Sequence, residues 1–156
     1  MNSIGNVIGE LCKVILPIPE ESYLGNTDSS IAICTLSSMD LLKKISNSDL
    51  LNHISIVGRL LSENKGIDFI IKYVNQNKKI KTIIVCGKEV WGHKAGHSLF
   101  ELHKNGIDHY GRIINSTSPN PILTVTKSEI NYFQNEIKLV NIINETNFDK
   151  IKKFVI

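Results

Sequence analysis

The sequence predicts an α/β fold, with a mostly parallel sheet and helices on both of its faces. Short apolar runs rich in β-branched residues, such as 31–36 and 82–86, are typical of strands covered on both sides. Segments with the apolar spacing of amphipathic helices separate these runs. A chain of 156 residues fits one domain, 1–156, which can bury enough surface to fold without a disulfide or a metal.

Strands and helices are predicted to alternate along the chain. An N-terminal arm, 1–25, is expected to be helical over 3–16 and then extended, because prolines interrupt it. The predicted strands are 31–36, 54–58, 82–86, a short one at 113–114, and 137–143. The predicted helices are 39–52, 66–77, 95–105 and 127–135.

Composition argues against several classes of protein. The net charge is +3, and the small lysine clusters carry no interleaved aromatic residues, so we expect no nucleic-acid binding. The cysteines are few and widely spaced, which favours reduced thiols and a cytoplasmic protein. No apolar run approaches the roughly 18–20 residues of a membrane helix, and the N-terminus lacks a signal-peptide pattern. Direct membrane insertion is therefore not expected.

The predicted loop between strand 82–86 and the next helix carries the most distinctive chemistry. Ligands of open parallel sheets bind beyond the carboxyl ends of the strands. The loops that begin there start at Thr35, Gly58, Gly87 and Asn115. The third of them reads GKEVWGHK and presents a histidine next to a glycine.

Two familiar motifs fit this loop poorly. A phosphate-binding P-loop would need lysine and then a hydroxyl residue, where the chain has His93 and Lys94. A zinc site of the H-E-x-x-H type would pair His93 with His97, but Lys94 stands where the general base belongs. Cys86 could supply a third zinc ligand, although its apolar run predicts that it points into the sheet.

In a third interpretation, His93 fills the open axial position of the metal in a bulky cofactor. The macrocycle supplies the equatorial ligands, so the protein need supply only one imidazole. Gly92 and Gly96 would leave room for a large flat ring close to the backbone. A fourth interpretation is an ordinary loop histidine, with Gly87 and Gly92 as turn residues, and spacing alone favours this one over the other three.

Residues 87–108, GKEVWGHKAGHSLFELHKNGID, resemble the signature of the A subunit of methanogen tetrahydromethanopterin S-methyltransferase. Residues 62–67, SENKGI, are similar to a second motif of that family, as are 31–36 and 111–114 to two others. The likeness runs in order through 29–143. It implies a Rossmann-like domain that binds cobalamin, in an archaeal protein of methanogenesis and one-carbon metabolism.

The resemblance implies a methyl carrier. Cob(I)alamin would accept a methyl group from methyl-tetrahydromethanopterin and pass it to a thiol such as coenzyme M, with His93 as the lower axial cobalt ligand. Both transfers would be catalysed by methyltransferase partner subunits, so the chain alone is expected to show little activity. Because the usual family member ends in a membrane helix and this chain stops at 154–156, we expect a soluble form without the anchor. The alternatives are a non-catalytic cobalamin-binding, storage or regulatory paralogue, and a His/Cys zinc protein.

The resemblance also implies the site residues. Glu63 is favoured as the acceptor that fixes the tautomer of His93, although it could equally be an acid at a helix N-terminus. Glu89 could instead be a loop carboxylate neutralised by Lys88 or Lys94. The predicted cofactor-binding residues are Thr35, Glu63, Asn64, Gly66, Gly87, Glu89, Val90, Gly92, His93, Gly96, Ser116 and Pro119, and the predicted metal ligand is His93.

Three further side chains near the motif have less specific predictions. Trp91, the chain's one tryptophan, is expected either to cover one side of the ligand pocket or to pack on residues 1–16. His97 and His103 are expected to be surface or half-buried helix residues rather than ligands.

Overall fold

The structure, a computed structural model, describes residues 21–156. Its strands are β1 (Ser22–Leu24), β2 (Ile31–Cys34), β3 (Ile56–Gly58), β4 (Thr82–Val85) and β5 (Lys138–Asn141). Its helices are α1 (Met39–Ser46), α2 (Lys65–Gln76), α3 (Ala95–Asn105), α4 (Lys127–Glu136) and α5 (Phe148–Lys152), with a 3-10 turn at Asp49–His53. The predicted helix 3–16 and most of the arm 1–25 lie outside the described residues.

The five strands form one sheet in the order β1-β3-β2-β4-β5. The pairs β3–β2, β2–β4 and β4–β5 are parallel, whereas β1 pairs antiparallel with β3 at the edge. The predicted α/β class with a Rossmann-like, mostly parallel sheet is confirmed. The helices that follow β2 and β4 lie on opposite faces, so the loops after these adjacent strands diverge and form a topological switch point.

Two apolar clusters cover the two faces of the sheet. Along β2, Ala32 and Cys34 join one cluster and Ile33 joins the other, as the period-two alternation of a strand requires. Buried residues of α2, α3 and α4 complete the first cluster, including Ile67, Ile71, Leu99, Leu102 and Phe133. Buried residues of α1 and α5 complete the second, including Leu41, Leu42, Ile45 and Ile151. The predicted placement of helices on both faces is confirmed.

The strand predicted at 113–114 is wrong. Ile113 forms an isolated antiparallel bridge with Ile107, outside the sheet. Asp108 accepts hydrogen bonds from two backbone N–H groups of the same segment and folds it into a compact turn. Ile113 is nevertheless buried, because the turn packs it into the first apolar cluster. The apolar pair therefore indicated burial correctly for Ile113 alone, since Ile114 is exposed, and it indicated strand pairing incorrectly.

Other predicted boundaries also differ from the structure. The helix predicted at 39–52 ends at Ser46, and the 3-10 turn follows after Ser48, whose hydroxyl accepts the Leu50 N–H at 3.3 Å. The short elements β1 and α5 had no counterpart in the sequence prediction. Within residues 21–156, the structure contains no helix with the length and apolar character needed to cross a bilayer.

Candidate functional site

The loop that follows β4 is fixed at its base. The Gly87 N–H donates to the Glu145 carbonyl at 2.8 Å, and the Asn144 N–H donates to the Gly87 carbonyl at 2.7 Å. Gly87 has a φ of +76°, and a Cβ there would lie 2.1 Å from the Thr35 carbonyl oxygen. Only glycine combines that backbone angle with so close an approach. The loop therefore leaves the sheet in one defined direction, at the switch point beside β2.

Glu89 joins this loop to the start of α3. Its Oε1 accepts the N–H groups of Val90 at 2.8 Å and Gly96 at 3.0 Å, and its Oε2 accepts the His97 N–H at 2.8 Å. Gly96 and His97 belong to the first helical turn, where N–H groups lack helical partners and the helix dipole favours a negative charge. Among the ion pairs of the described residues, none joins Glu89 to a lysine. The sequence interpretation that Lys88 or Lys94 neutralises it is thus replaced by helix capping.

The two glycines beside His93 have different roles. A Cβ on Gly96 would lie 2.9 Å from the Glu89 carboxylate and about as close to methyl groups of Leu36 and Ile143, at 3.1 Å and 3.0 Å. The protein's own packing therefore explains Gly96. Gly92 has a φ of +79°, and, apart from its two chain neighbours, a Cβ there would meet no atom of the described residues within 4 Å. Open space for a ligand is thus found at Gly92 but not at Gly96.

His93 and Glu63 form the centre of the site. The His93 Nδ1 lies 2.9 Å from Glu63 Oε2; the imidazole side chain is 57% exposed and the carboxylate side chain only 2%. The predicted contact between them is present. In a neutral imidazole held this way, Nδ1 carries the proton and donates it, which leaves the Nε2 lone pair free. Among the described residues, Nε2 makes no hydrogen bond.

Glu63 remains ionised although it is buried. Burial acts to raise its pKa, but hydrogen bonds from its own backbone N–H, from the Asn120 N–H and from His93 outweigh that effect. The resulting pKa lies below the ordinary value for glutamate. The second carboxylate oxygen, Oε1, accepts the Asn120 N–H at 3.0 Å. A negative charge therefore stands behind the exposed imidazole.

Two more predicted residues flank Glu63 at the start of α2. Asn64 caps this helix, because its Oδ1 accepts the Lys65 N–H at 2.7 Å, and its Nδ2 donates to the Asn120 carbonyl at 3.2 Å. Gly66 is buried in the first turn, and its N–H donates to the Ser62 hydroxyl at 2.8 Å. The contact of Asn64 holds the loop that carries Asn120 against the start of α2.

The remaining predicted residues surround this centre at different depths. Ser116 and Ser118 each place a hydroxyl 2.6 Å from that of Ser98 on α3. Pro119 is exposed on the same loop. Thr35 is fully buried, and its hydroxyl lies 3.5 Å from the Gly58 carbonyl. Its side chain therefore faces the protein interior rather than the open side of the site.

Sequence reasoning missed three contributors to the site. Asn120 acts through its backbone N–H, which no residue type reveals. Ser98 and Ser118 are buried and are linked by their hydroxyls, and Ser118 also donates to the Lys94 carbonyl at 3.2 Å. The repeated serines just before Pro119 were the one signal that could have indicated the buried network.

The structure does not bring together the candidate zinc ligands His93, His97 and Cys86. Cys86 is fully buried, its thiol lies 3.4 Å from the Cys34 carbonyl, and burial raises its pKa. The His97 Nε2 accepts the Thr117 N–H at 3.2 Å. Residues 21–156 contain no group of three His, Cys, Asp or Glu side chains placed to hold a metal ion. The predicted start of α3 after His93, at Ala95, is confirmed.

Comparison with known families assigns the chain. Residues 16–156 match the family model for the A subunit of tetrahydromethanopterin S-methyltransferase. The chain belongs to this family. The family predicted from the loop motifs is thereby confirmed, and the matched region contains every residue of the candidate site.

Individual relatives in this family agree. The A subunit of the putative methyltransferase Mtx from Methanosarcina barkeri is 38% identical over 141 residues, which are 89% of this chain and 68% of the relative. The A 2 subunit of tetrahydromethanopterin S-methyltransferase from Methanothermobacter thermautotrophicus is 30% identical, over 86% of this chain and 76% of the relative. The A 1 subunit from the same organism is 34% identical, but the chain spans only 56% of its length. These relatives are named as subunits of methyltransferases.

Proposed function

We propose that this chain binds cobalamin through His93 and carries a methyl group between the other subunits of a methyltransferase. The methyl donor would be methyl-tetrahydromethanopterin, and the acceptor a thiol such as coenzyme M. One observation carries the proposal. An exposed imidazole on a braced loop places its Nδ1 2.9 Å from a buried carboxylate, and its Nε2 makes no hydrogen bond within residues 21–156.

The donor atoms suit such a metal centre. Imidazole nitrogen is a good ligand for transition metals. Histidines that bind metals usually donate their second ring N–H to a carboxylate, which fixes the tautomer and increases the basicity of the ligating nitrogen. Glu63 is in position to do both for His93. The chain supplies this single ligand and its support, as a cofactor with its own macrocycle would require.

When bound, cobalamin supplies a cobalt centre that can hold a methyl group. The protein's residues have simpler tasks. Glu63 keeps the proton on Nδ1, so that Nε2 is available as an uncharged donor. Glu89 and Gly87 hold the loop in one conformation, and Gly92 leaves the space beside the imidazole open.

Partner subunits complete the proposed function. The relatives are named as A subunits, which implies further subunits in their assemblies. We therefore expect the isolated chain to bind the cofactor and to transfer methyl groups slowly without its partners.

Cobalamin binding is tested by titrating the purified chain with hydroxocobalamin and following the visible absorbance spectrum. The wild type is expected to show a shift to a protein-nitrogen-ligated species at about one equivalent. His93→Ala is expected to lose that spectrum. His97→Ala is the matched control, because His97 lies four residues away and its Nε2 is occupied by Thr117. A wild type that leaves the spectrum of cobalamin unchanged, or a His93→Ala variant with the wild-type spectrum, contradicts the proposal.

The carrier role is tested separately from binding. The cobalamin-loaded chain is reduced and mixed with methyl-tetrahydromethanopterin and the catalytic subunits that accompany one of the relatives named above. Transfer of labelled methyl groups to the chain, and then to coenzyme M, supports a carrier. Tight binding without methyl uptake would instead identify a storage or regulatory protein.

A further inference from the structure

Trp91 is exposed to solvent two residues before the proposed metal ligand. It is 94% exposed and is the chain's single tryptophan. Tryptophan side chains are on average largely buried, so near-complete exposure is unusual. Exposed aromatic side chains of this size are concentrated at sites of binding, where they contribute disproportionately to affinity.

The loop holds Trp91 in a defined position. The Lys94 N–H donates to the Val90 carbonyl at 2.8 Å and closes a turn, with Trp91, Gly92 and His93 at its tip. Glu89 fastens the near side of this turn to the start of α3. The exposure of the indole is therefore a property of an ordered turn that also carries the exposed imidazole.

The turn has open space at Gly92, the residue between Trp91 and His93. Gly92, between the two residues in the chain, carries no Cβ, and a Cβ built there would meet no atom of the other described residues within 4 Å. A macrocycle whose metal is bound by His93 would extend in every direction from that metal. The macrocycle would therefore pass over side chains that project from the same turn. An indole provides a large, rigid apolar face for such a contact and loses little conformational entropy on binding.

We propose that Trp91 packs against the face of the cobalamin ring that His93 approaches, and so sets the affinity for the cofactor. This inference rests on the proposed function. A contact with a partner protein is the competing explanation for an exposed tryptophan. The shared turn favours the ring, because Trp91 lies two residues from His93 within one hydrogen-bonded turn.

The test measures the dissociation constant of hydroxocobalamin for the full chain by absorbance titration. Trp91→Ala is expected to weaken binding roughly tenfold, the size of effect typical of buried aromatic anchors. Trp91→Phe, which keeps part of the apolar face, is expected to lose less. At saturation both variants should keep the spectrum of the nitrogen-ligated wild type, because His93 is intact.

Tyr110 provides a matched control. It is another exposed aromatic residue, 76% exposed, on the loop beyond the opposite end of α3. Tyr110→Ala should bind cobalamin as the wild type does. Because Trp91 is almost fully exposed in the part of the chain that the structure describes, its variants should also unfold at the wild-type urea concentration, which separates a binding defect from a folding defect.

The two proposals fail in distinguishable ways. If Trp91→Ala binds cobalamin as tightly as the wild type while His93→Ala loses the ligated spectrum, Trp91 has no role in binding the ring and the proposed function stands. If Trp91→Ala binds normally but slows methyl transfer from the partner subunits, the indole belongs to a protein interface and the inference is overturned. If the wild type binds no cobalamin, both proposals fail together.

Discussion

At the scale of single residues, one buried carboxylate organises the site. Glu63 contacts the His93 ring with one oxygen and the Asn120 N–H with the other, at 2.9 Å and 3.0 Å. These three residues come from three separate loops. The charge of Glu63 is compensated by hydrogen bonds rather than by solvent, so its protonation is linked to the stability of the whole arrangement.

This linkage predicts a pH-dependent stability. The pKa of Glu63 is lower in the folded protein than the ordinary value of 4.5, so the unfolded chain binds more protons between these two values. The stabilisation by Glu63 is therefore fully present above about pH 4.5 and is lost as the pH falls through the folded pKa. Urea unfolding of Glu63→Gln at neutral pH should show a loss of about 1–3 kcal/mol, the range for charged hydrogen bonds and buried unsatisfied groups.

The loss should shrink as the pH falls below the ordinary glutamate value. Glu136→Gln is the control, since Glu136 is half-exposed and forms only a 3.5 Å surface contact with Lys81. Its effect should be small, as for exposed ion pairs in general. A Glu63→Gln loss that is the same at neutral pH and well below the ordinary glutamate pKa would show that the carboxylate charge does not stabilise the fold.

At the scale of elements, helix α3 depends on a residue that lies outside it. Lys94 precedes the helix in a left-handed conformation, with a φ of 49°, and provides no side-chain cap. Glu89, several residues earlier, accepts two N–H groups of the first turn instead. The same contacts set the position of the turn that carries His93, so the stability of the helix and the geometry of the site are connected.

Removing this cap should destabilise the protein. Glu89→Ala is expected to lower the free energy of unfolding by about 1–2 kcal/mol, as for other lost helix caps. Glu89→Gln retains one acceptor oxygen and should lose less. Chemical denaturation measures both, with Glu101→Ala as a control within α3, because Glu101 contacts Asn105 on the same helix. A Glu89→Ala variant as stable as the wild type would contradict the capping role.

The elements also show how far sequence patterns reach. The parallel strands were predictable from short continuous apolar runs rich in β-branched residues, and α2 was predictable from apolar residues that repeat with the helical period. The strand β1 was not, because it has three residues, all exposed, and pairs by backbone alone. The strand prediction at 113–114 failed for a related reason. Ile113 forms only an isolated bridge, and two adjacent apolar residues carry no periodic signal.

At the scale of the whole molecule, distant segments of the chain meet at the carboxyl ends of the parallel strands. The loops after β2 and β4 diverge there, and His93 and Glu63 meet although they lie 30 residues apart in the chain. The order of strands and helices in the sequence predicted a site at these strand ends, and the family motifs predicted the contact between Glu63 and His93. The sequence could not predict that Glu89 caps α3 or that the Asn120 backbone supports Glu63, because both depend on the folded path of the loops.

The most direct test of the central claim is electron paramagnetic resonance of the chain loaded with cob(II)alamin. A nitrogen ligand to cobalt splits the signal, and replacing nitrogen-14 by nitrogen-15 changes a triplet into a doublet. Protein labelled only with nitrogen-15 histidine is predicted to give the doublet, and labelled His93→Ala is predicted to lose it while labelled His97→Ala keeps it. A triplet, or the absence of nitrogen splitting, in the labelled wild type would contradict ligation by His93.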